Sequence, residues 1–379
     1  MTSSARWWPA MSVDFTAAAR NYALDLLSSL LLFVGASVMA GRVWRFPFDD
    51  EVYTLGKAES MSAFDLVIFY LNGKDVHPPL SYVLIDALHS LGMSEPSMRF
   101  VSLTMTAAAL VLFHLLALTL IVERERAVAP ATRLIAVLLF GLCALAVSQG
   151  DALRWYPLFS LLIAAFVTLY QFGANGAARL AAAAALGLAA STNFLAALVI
   201  GPLALYRYGL QRRFSVRCDL AFWLVVALFG AMALCTGIFL LTGRGARVGA
   251  QVGHGFVEAV LTNVLGFFGG HSLGLGQAWI VVPAVAIGAL AMISVIDRRQ
   301  QGHPAHLLLL MLAATVVAPL IGFAKPRSFL YLAPVLAAVL TLYLDRLVRR
   351  ERAGVAILLS SLIVAGSVAA IANIEAGPR

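Results

Sequence analysis

The pattern of apolar and polar positions along the chain is dominated by long, unbroken apolar runs. Many reach 18 residues or more, enough to cross a bilayer core of ~30 Å as a helix. The spacing predicts spans over 23–43, 99–122, 132–149, 155–172, 178–192, 194–208, 219–241, 278–296, 305–323, 328–345 and 353–372. The segments 178–192 and 194–208 are short, and one bent hairpin around Thr192 and Asn193 is the alternative to two spans. Backbone polar groups have no water to pair with in lipid, so spans are helices or closed barrels. Continuous apolar runs, without the ten-residue alternation of barrel strands, select helices. The expectation is an all-α polytopic membrane protein of about eleven transmembrane helices. The first run has no small-residue cleavage site after it and reads as a retained span.

Between the runs, two loops are long. The first, 44–98, carries its own periodicity: Leu80, Val83, Leu84, Ala87, Leu88 and Leu91 form one helical stripe, with Ser81, Asp86, His89 and Ser90 opposite. Pro78 and Pro79 suit its first turn and Gly92 its C-terminal end. It is too short to span, so it should lie in the membrane interface. A second such helix fits Ser62 to Leu71. The other long loop, 242–277, holds ten glycines and reads as a lid, with room for an interfacial helix from Phe256 to Phe268. No composition shift marks a separate soluble domain, so residues 1–379 read as one transmembrane domain.

Composition agrees: the chain is 61% hydrophobic and 12% charged, and a soluble domain would carry about 25% charged residues. The net charge of +8 does not call for nucleic acid. With loops alternating between faces, sixteen basic residues and eight acids fall on one side and eleven of each on the other, so the whole net charge lies on one face. The positive-inside rule makes that face cytoplasmic. The N-terminus is then inside, and 44–98, 150–154, 242–277 and 324–327 are outside. All three lysines, Lys57, Lys74 and Lys325, fall on the outer face, against the insertion bias. Cys143, Cys218 and Cys235 lie in or beside apolar runs and fit neither a disulfide framework nor a metal spacing.

The candidate chemistry sits in the first outer loop. Asp49, Asp50 and Glu51 follow a span directly, and Tyr53 comes next but one. Taken alone, such acids suit the first turn of a helix. Further on, Asp75, His77, Pro78, Pro79, Leu80 and Tyr82 make a rigid corner, because proline fixes its own φ and restricts the residue before it. Cations recur at the outer ends of later spans. Arg154 precedes Trp155 and Tyr156, and Lys325 and Arg327 flank Pro326. Arginine grips phosphate oxygens bidentately and lysine acts as a point charge. Headgroup snorkelling is the competing explanation for such cations. The aromatic belt is the competing explanation for Tyr53, Tyr82, Trp155 and Tyr156.

The pattern Asp50-Glu51-x-Tyr53, then Asp75-x-His77-Pro78-Pro79-Leu80-x-Tyr82, then Arg99 opening the second span, resembles the bacterial branch of the family of protein O-mannosyltransferases and the lipid A aminoarabinose transferase. The likeness is dense over 48–103 and continues through Asp151, Arg154, Trp155, Tyr156 and Pro157. The long periplasmic domain of some members has no counterpart here. The resemblance implies a GT-C-type bundle with interfacial helices in its first periplasmic loop. It also implies an inverting transfer of sugar from a polyprenyl-phosphate donor, at the periplasmic face of a bacterial inner membrane, to a lipid, glycan or protein acceptor. It makes Asp50 the base, with Glu51 bonding the acceptor or supporting Asp50. Asp49, Tyr53, His77, Tyr82 and Tyr156 become candidates for the sugar and acceptor, and Arg154, Lys325 and Arg327 candidates for the lipid phosphate. The chemistry is consistent with this kit. A phosphate leaving group needs no general acid, but the attacking hydroxyl needs a base and the departing phosphate needs cations. The acids with His77, His254 or His271 offer oxygen-plus-imidazole ligation of a divalent cation, but the spacing is unspecific, so no cofactor is required. A flippase or secondary transporter is the alternative from another class. It is disfavoured because ionisable residues gather in an outer loop rather than at mid-span, with His114 and Asp219 as exceptions. An O-antigen polymerase or ligase is a third reading, resting on the 242–277 loop and Arg247.

Overall fold

The computed structural model describes residues 14–47, 49–75, 77–173, 175–211, 216–233, 235, 287–288, 305–317 and 326–375. The expected lid 242–277, with its Phe256–Phe268 helix, lies outside the described residues, as does all of 278–296 but two positions. The described residues are helical, with no strand among them. Four helical segments are long and apolar enough to cross a membrane: Glu95–Glu125, Pro130–Gln149, Trp155–Phe172 and Ala353–Ala372. The pair α1 (Phe15–Asn21) and α2 (Ala23–Met39), bent by 69° at Tyr22, makes a fifth if counted as one span.

Burial tells the same story as length. Leu24, Leu27 and Leu31 of α2, and Val355, Ile357, Leu358, Leu362 and Val368 near the C-terminus, are exposed. An outward surface this apolar fits lipid as its solvent rather than water. This is the architecture of an all-α membrane protein.

After α2 the chain makes a surface platform of three helices: α3 (Asp49–Ser60), α4 (Ala63–Leu71) and α5 (Leu80–Ser90). The start of α4 is fixed by a capping box, in which Ser62 and Asp65 each accept from the other's backbone N–H. Its Phe64, Ile68 and Leu71 remain exposed, at helical spacing. In α5 the buried face lies between the expected stripe and the side opposite it: Ser81, Tyr82 and Ile85 are buried, Leu80, Val83, Leu84 and Leu88 of the stripe are half-buried, and Ala87, Leu91, His89 and Ser90 are exposed. The helix ends at Gly92, whose φ of +73° is a left-handed conformation that glycine adopts without strain.

The bundle follows. Helix α6 (Glu95–Glu125) has 31 residues and is about 46 Å long, so its first turn reaches beyond a ~30 Å apolar core to the platform. The expected span 132–149 is broken into α7 (Pro130–Gly141) and α8 (Ala144–Gln149). Then come α9 (Trp155–Phe172) and α10 (Gly176–Thr192). The expected span 194–208 is not one α-helix: a 3-10 turn at Phe194–Ala196 leads into α11 (Ala197–Ala204), which contains Pro202, and then a π-helical turn at Leu205–Leu210. Proline removes an internal hydrogen bond, which accounts for the irregularity beyond it. Helices α12 (Val216–Phe229), α13 (Ala305–Val317), α14 (Leu332–Arg349) and α15 (Ala353–Glu375) complete the described chain.

Helices α6, α9 and α14 supply much of the core. Helices α10 and α12 meet at Gly187, where a Cβ would lie 2.6 Å from the Phe229 Cβ and 2.9 Å from the Val226 carbonyl oxygen. Gly187→Ala should therefore lower the thermal unfolding midpoint in detergent, at a cost of roughly 1–3 kcal/mol for overpacking. An unchanged midpoint would mean that this contact yields without strain.

Candidate active site at the start of the first surface helix

The site is built around the first turn of α3. Glu51 is 0% exposed. Arg45 donates to both its oxygens at 2.6 and 2.7 Å, Arg99 donates to both at 3.0 and 3.1 Å, and the Leu153 N–H adds a bond of 2.8 Å. Asp151, also fully buried, pairs with Arg42 at 3.2 Å, Arg45 at 2.9 Å and Arg99 at 3.3 Å. Arg99 completes its own shell with Glu95 at 2.7 Å. Three guanidiniums meet three carboxylates, so the cluster is neutral, which is the condition for burying so many charges. Burial alone would push the Glu51 carboxyl up, but the hydrogen bonds and charges of Arg45 and Arg99 outweigh it and hold the group at about 2.

One residue earlier, the chemistry is different. Asp50 is only partly buried. Its carbonyl oxygen accepts from the Thr54 hydroxyl at 2.9 Å and from Arg154 Nη1 at 3.1 Å, and Arg154 also donates to Thr54 Oγ1 at 2.9 Å. The Arg154 guanidinium is itself buried, and the Tyr156 and Tyr82 phenols and the Asp50 carboxylate act on its charge. Successive side chains on a helix point about 100° apart. Glu51 is thus directed into the ion cluster, while residue 50 meets Arg154 through its carbonyl oxygen and the Asp50 charge acts on that guanidinium.

A second ionic cluster holds the platform together. Lys57 Nζ lies 2.5 Å from Asp75 Oδ2 and 4.2, 4.4 and 4.8 Å from the ring centres of Tyr53, Phe69 and Tyr82. One ammonium thus joins α3, α4, α5 and the turn between the last two, through an ion pair and cation–π contacts. Asp75 also accepts from the Tyr82 hydroxyl at 3.0 Å and the His77 N–H at 3.0 Å, and the His77 ring lies at 3.2 Å. Burial would raise the Asp75 carboxyl, but the hydrogen bonds from His77 and the charges of His77 and Lys57 hold it well below the usual carboxylate range. Burial first, and Asp75 second, push the Tyr82 phenol well above its ordinary value, so it stays a neutral donor.

The structure therefore brings Asp50, Tyr53, His77, Tyr82, Arg154 and Tyr156 to one end of the bundle. It sets Glu51 among them as a fully enclosed carboxylate that accepts from Arg45, Arg99 and the Leu153 N–H. The backbone of Asp49 opens α3, and its side chain lies outside the described residues. Lys325 and the Arg327 side chain also lie outside them. The 3-10 turn Pro326–Phe329 packs on α8 and α9, at the same end as Arg154. His254 and His271 are outside the described residues. Among the described ones, no three His, Cys, Asp or Glu side chains gather as a metal site. The two mid-span exceptions are both partnered: His114 Nδ1 meets the Ser29 hydroxyl at 2.9 Å, and Asp219 pairs with Arg207 at 2.5 Å.

Sequence reasoning did not place Arg42, Arg45 or Lys57 at the site, and it named Asp75, Arg99 and Asp151 within the motif without giving them a role. Their signal was present. Arg42, Arg45 and Lys57 are cations on the face that the insertion rule disfavours, and acids are their counterparts. Comparison with known proteins gives no match to a family model, to a curated protein or to a solved structure.

Proposed function

We propose that this chain is an inverting glycosyltransferase of about eleven spans, with a GT-C-type bundle, its N-terminus in the cytoplasm and its site on the periplasmic face of a bacterial inner membrane. It moves one sugar from a polyprenyl-phosphate donor to a lipid, glycan or protein acceptor of the cell envelope. The observation that carries this reading is the contact at the start of α3: the buried Arg154 donates to the carbonyl oxygen of the partly exposed Asp50 at 3.1 Å, and the Asp50 carboxylate and the Tyr82 and Tyr156 phenols act on that cation's charge. A carboxylate and a guanidinium within one site are what the reaction needs. Asp50 takes the proton of the acceptor hydroxyl as its oxygen attacks the anomeric carbon. The bond from that carbon to the phosphate oxygen breaks, and Arg154 stabilises the charge that develops there. Direct displacement inverts the anomeric centre. Arg327, within the turn that packs on α8 and α9, and Lys325, which precedes that turn in sequence, are further candidates for the phosphate. No step requires a metal.

The test is transfer itself. The protein is reconstituted in liposomes with polyprenyl phosphate bearing a radiolabelled sugar and an extract of envelope acceptors. Label should enter the acceptor while free polyprenyl phosphate appears in equal amount. Intact donor crossing the bilayer with no polyprenyl phosphate released would overturn the proposal in favour of a flippase.

A further inference from the structure

The turn before α9 grips the first turn of α3. Asp151 holds Arg42, Arg45 and Arg99. Two residues on, the Leu153 N–H holds the Glu51 carboxylate at 2.8 Å. The next residue, Arg154, holds the Asp50 carbonyl and the Thr54 hydroxyl. Arg45 links the two halves of this grip. One edge of its guanidinium meets Glu51 and its Nε meets Asp151, so it ties the first turn of α3 to the 151–154 turn. Arg42 and Arg45 come just after α2, Glu51 from the platform, Glu95 and Arg99 from the start of α6, and Asp151 from the α8–α9 connection. Four chain segments thus meet in one closed ionic joint.

We infer that Arg45 and Asp151 are positioning residues: through Glu51 they set the rotation and depth of the first turn of α3, and thereby the place of Asp50 relative to Arg154. The inference rests on the transferase reading for its kinetic arm, but not for its structural arm. The geometry separates two of the three acids that open α3: Glu51 is enclosed and anchors the turn that carries the partly exposed Asp50. A Lys at position 45 would keep the cluster neutral but would lose the planar fork that reaches two carboxylates at once. A carboxylate displaced by about 1 Å from its working position can cost on the order of 100-fold in rate.

Two measurements test this on Arg45→Lys, chosen because it preserves charge, and on Asp151→Asn. The first needs no activity. Cys143, Cys218 and Cys235 are replaced by serine or alanine, Asp50→Cys is introduced, and the rate of labelling by a membrane-impermeant maleimide is followed with and without Arg45→Lys. The expected result is a several-fold change in labelling rate, with the elution profile unchanged. Equal rates in the Arg45→Lys and parent backgrounds would overturn the inference, whatever Asp151→Asn does. The second is kinetic. Arg45→Lys should lower kcat by roughly 10–100-fold while KM for donor and acceptor stays near that of the parent. A rise in KM with kcat preserved would also overturn it, because it would place Arg45 in substrate binding. If the unaltered protein transfers no sugar, the transferase reading fails, and the labelling result still decides the joint.

Discussion

Asp50→Asn should give a folded, membrane-inserted protein whose sugar transfer is slower by roughly 10²–10⁴-fold, the contribution of a positioned general base. Asparagine has the shape of aspartate but cannot accept the hydroxyl proton. The fold should survive, because the bonds from Thr54 and Arg154 reach residue 50 through its carbonyl oxygen, which the substitution leaves alone. The loss should fall on kcat, with KM for the lipid donor little changed, since the phosphate is assigned to cations and not to this carboxylate. Labelled transfer measured beside the unfolding midpoint separates chemistry from stability. Transfer within a few-fold of the parent would remove Asp50 from the base role. A collapsed midpoint would instead show that the carboxylate is part of the scaffold.

The contrast with Glu51 shows what the sequence made legible and what it did not. The apolar runs anticipated the long described helices, such as Trp155–Phe172 and Ala353–Ala372, because lipid demands them. The two platform helices with local signals, the Ser62–Asp65 capping box of α4 and the Gly92 stop of α5, were also legible. Helix α3 was not read as a helix beyond its acidic start. Its buried positions are Glu51, Thr54, Lys57 and Ala58. They have helical spacing, but three of the four are polar, and a search for apolar periodicity passes over a stripe whose partners are ions. The partners themselves lie far along the chain. Arg42 and Asp151 are more than a hundred residues apart, and Lys57 and Asp75 are eighteen apart. No local pattern encodes such pairs. The corner at Asp75, His77 and Tyr82 was legible as a local unit, because its three side chains lie within one turn and one helix start and bond to one another. The break in the expected span 194–208 had a visible cause in Pro202, yet the π-helical turn that follows depends on its neighbours in the bundle.

Arg99→Met should be the most destabilising single change in this region. The guanidinium is 0% exposed and bonds Glu51, Glu95 and Asp151 together. Methionine fills much of the volume but leaves two fully buried carboxylates short of a counter-charge, at a cost of roughly 3–5 kcal/mol. The pH dependence identifies the cause. In the parent, Glu51 is held at about 2 instead of 4.5. A carboxyl lowered in the folded state stabilises it above its unfolded value, and that contribution disappears as pH falls from about 4.5 to about 2. At neutral pH it is on the order of 3 kcal/mol. Without Arg99, burial pushes a carboxyl of this cluster upwards, so the folded variant takes up a proton that the parent refuses. The gap between parent and variant should therefore be widest near neutral pH and narrow on acidification. Unfolding midpoints in detergent, measured across that range for Arg99→Met and Arg99→Lys, would show it. A gap independent of pH would mean that lost packing, rather than unpaired charge, explains the damage.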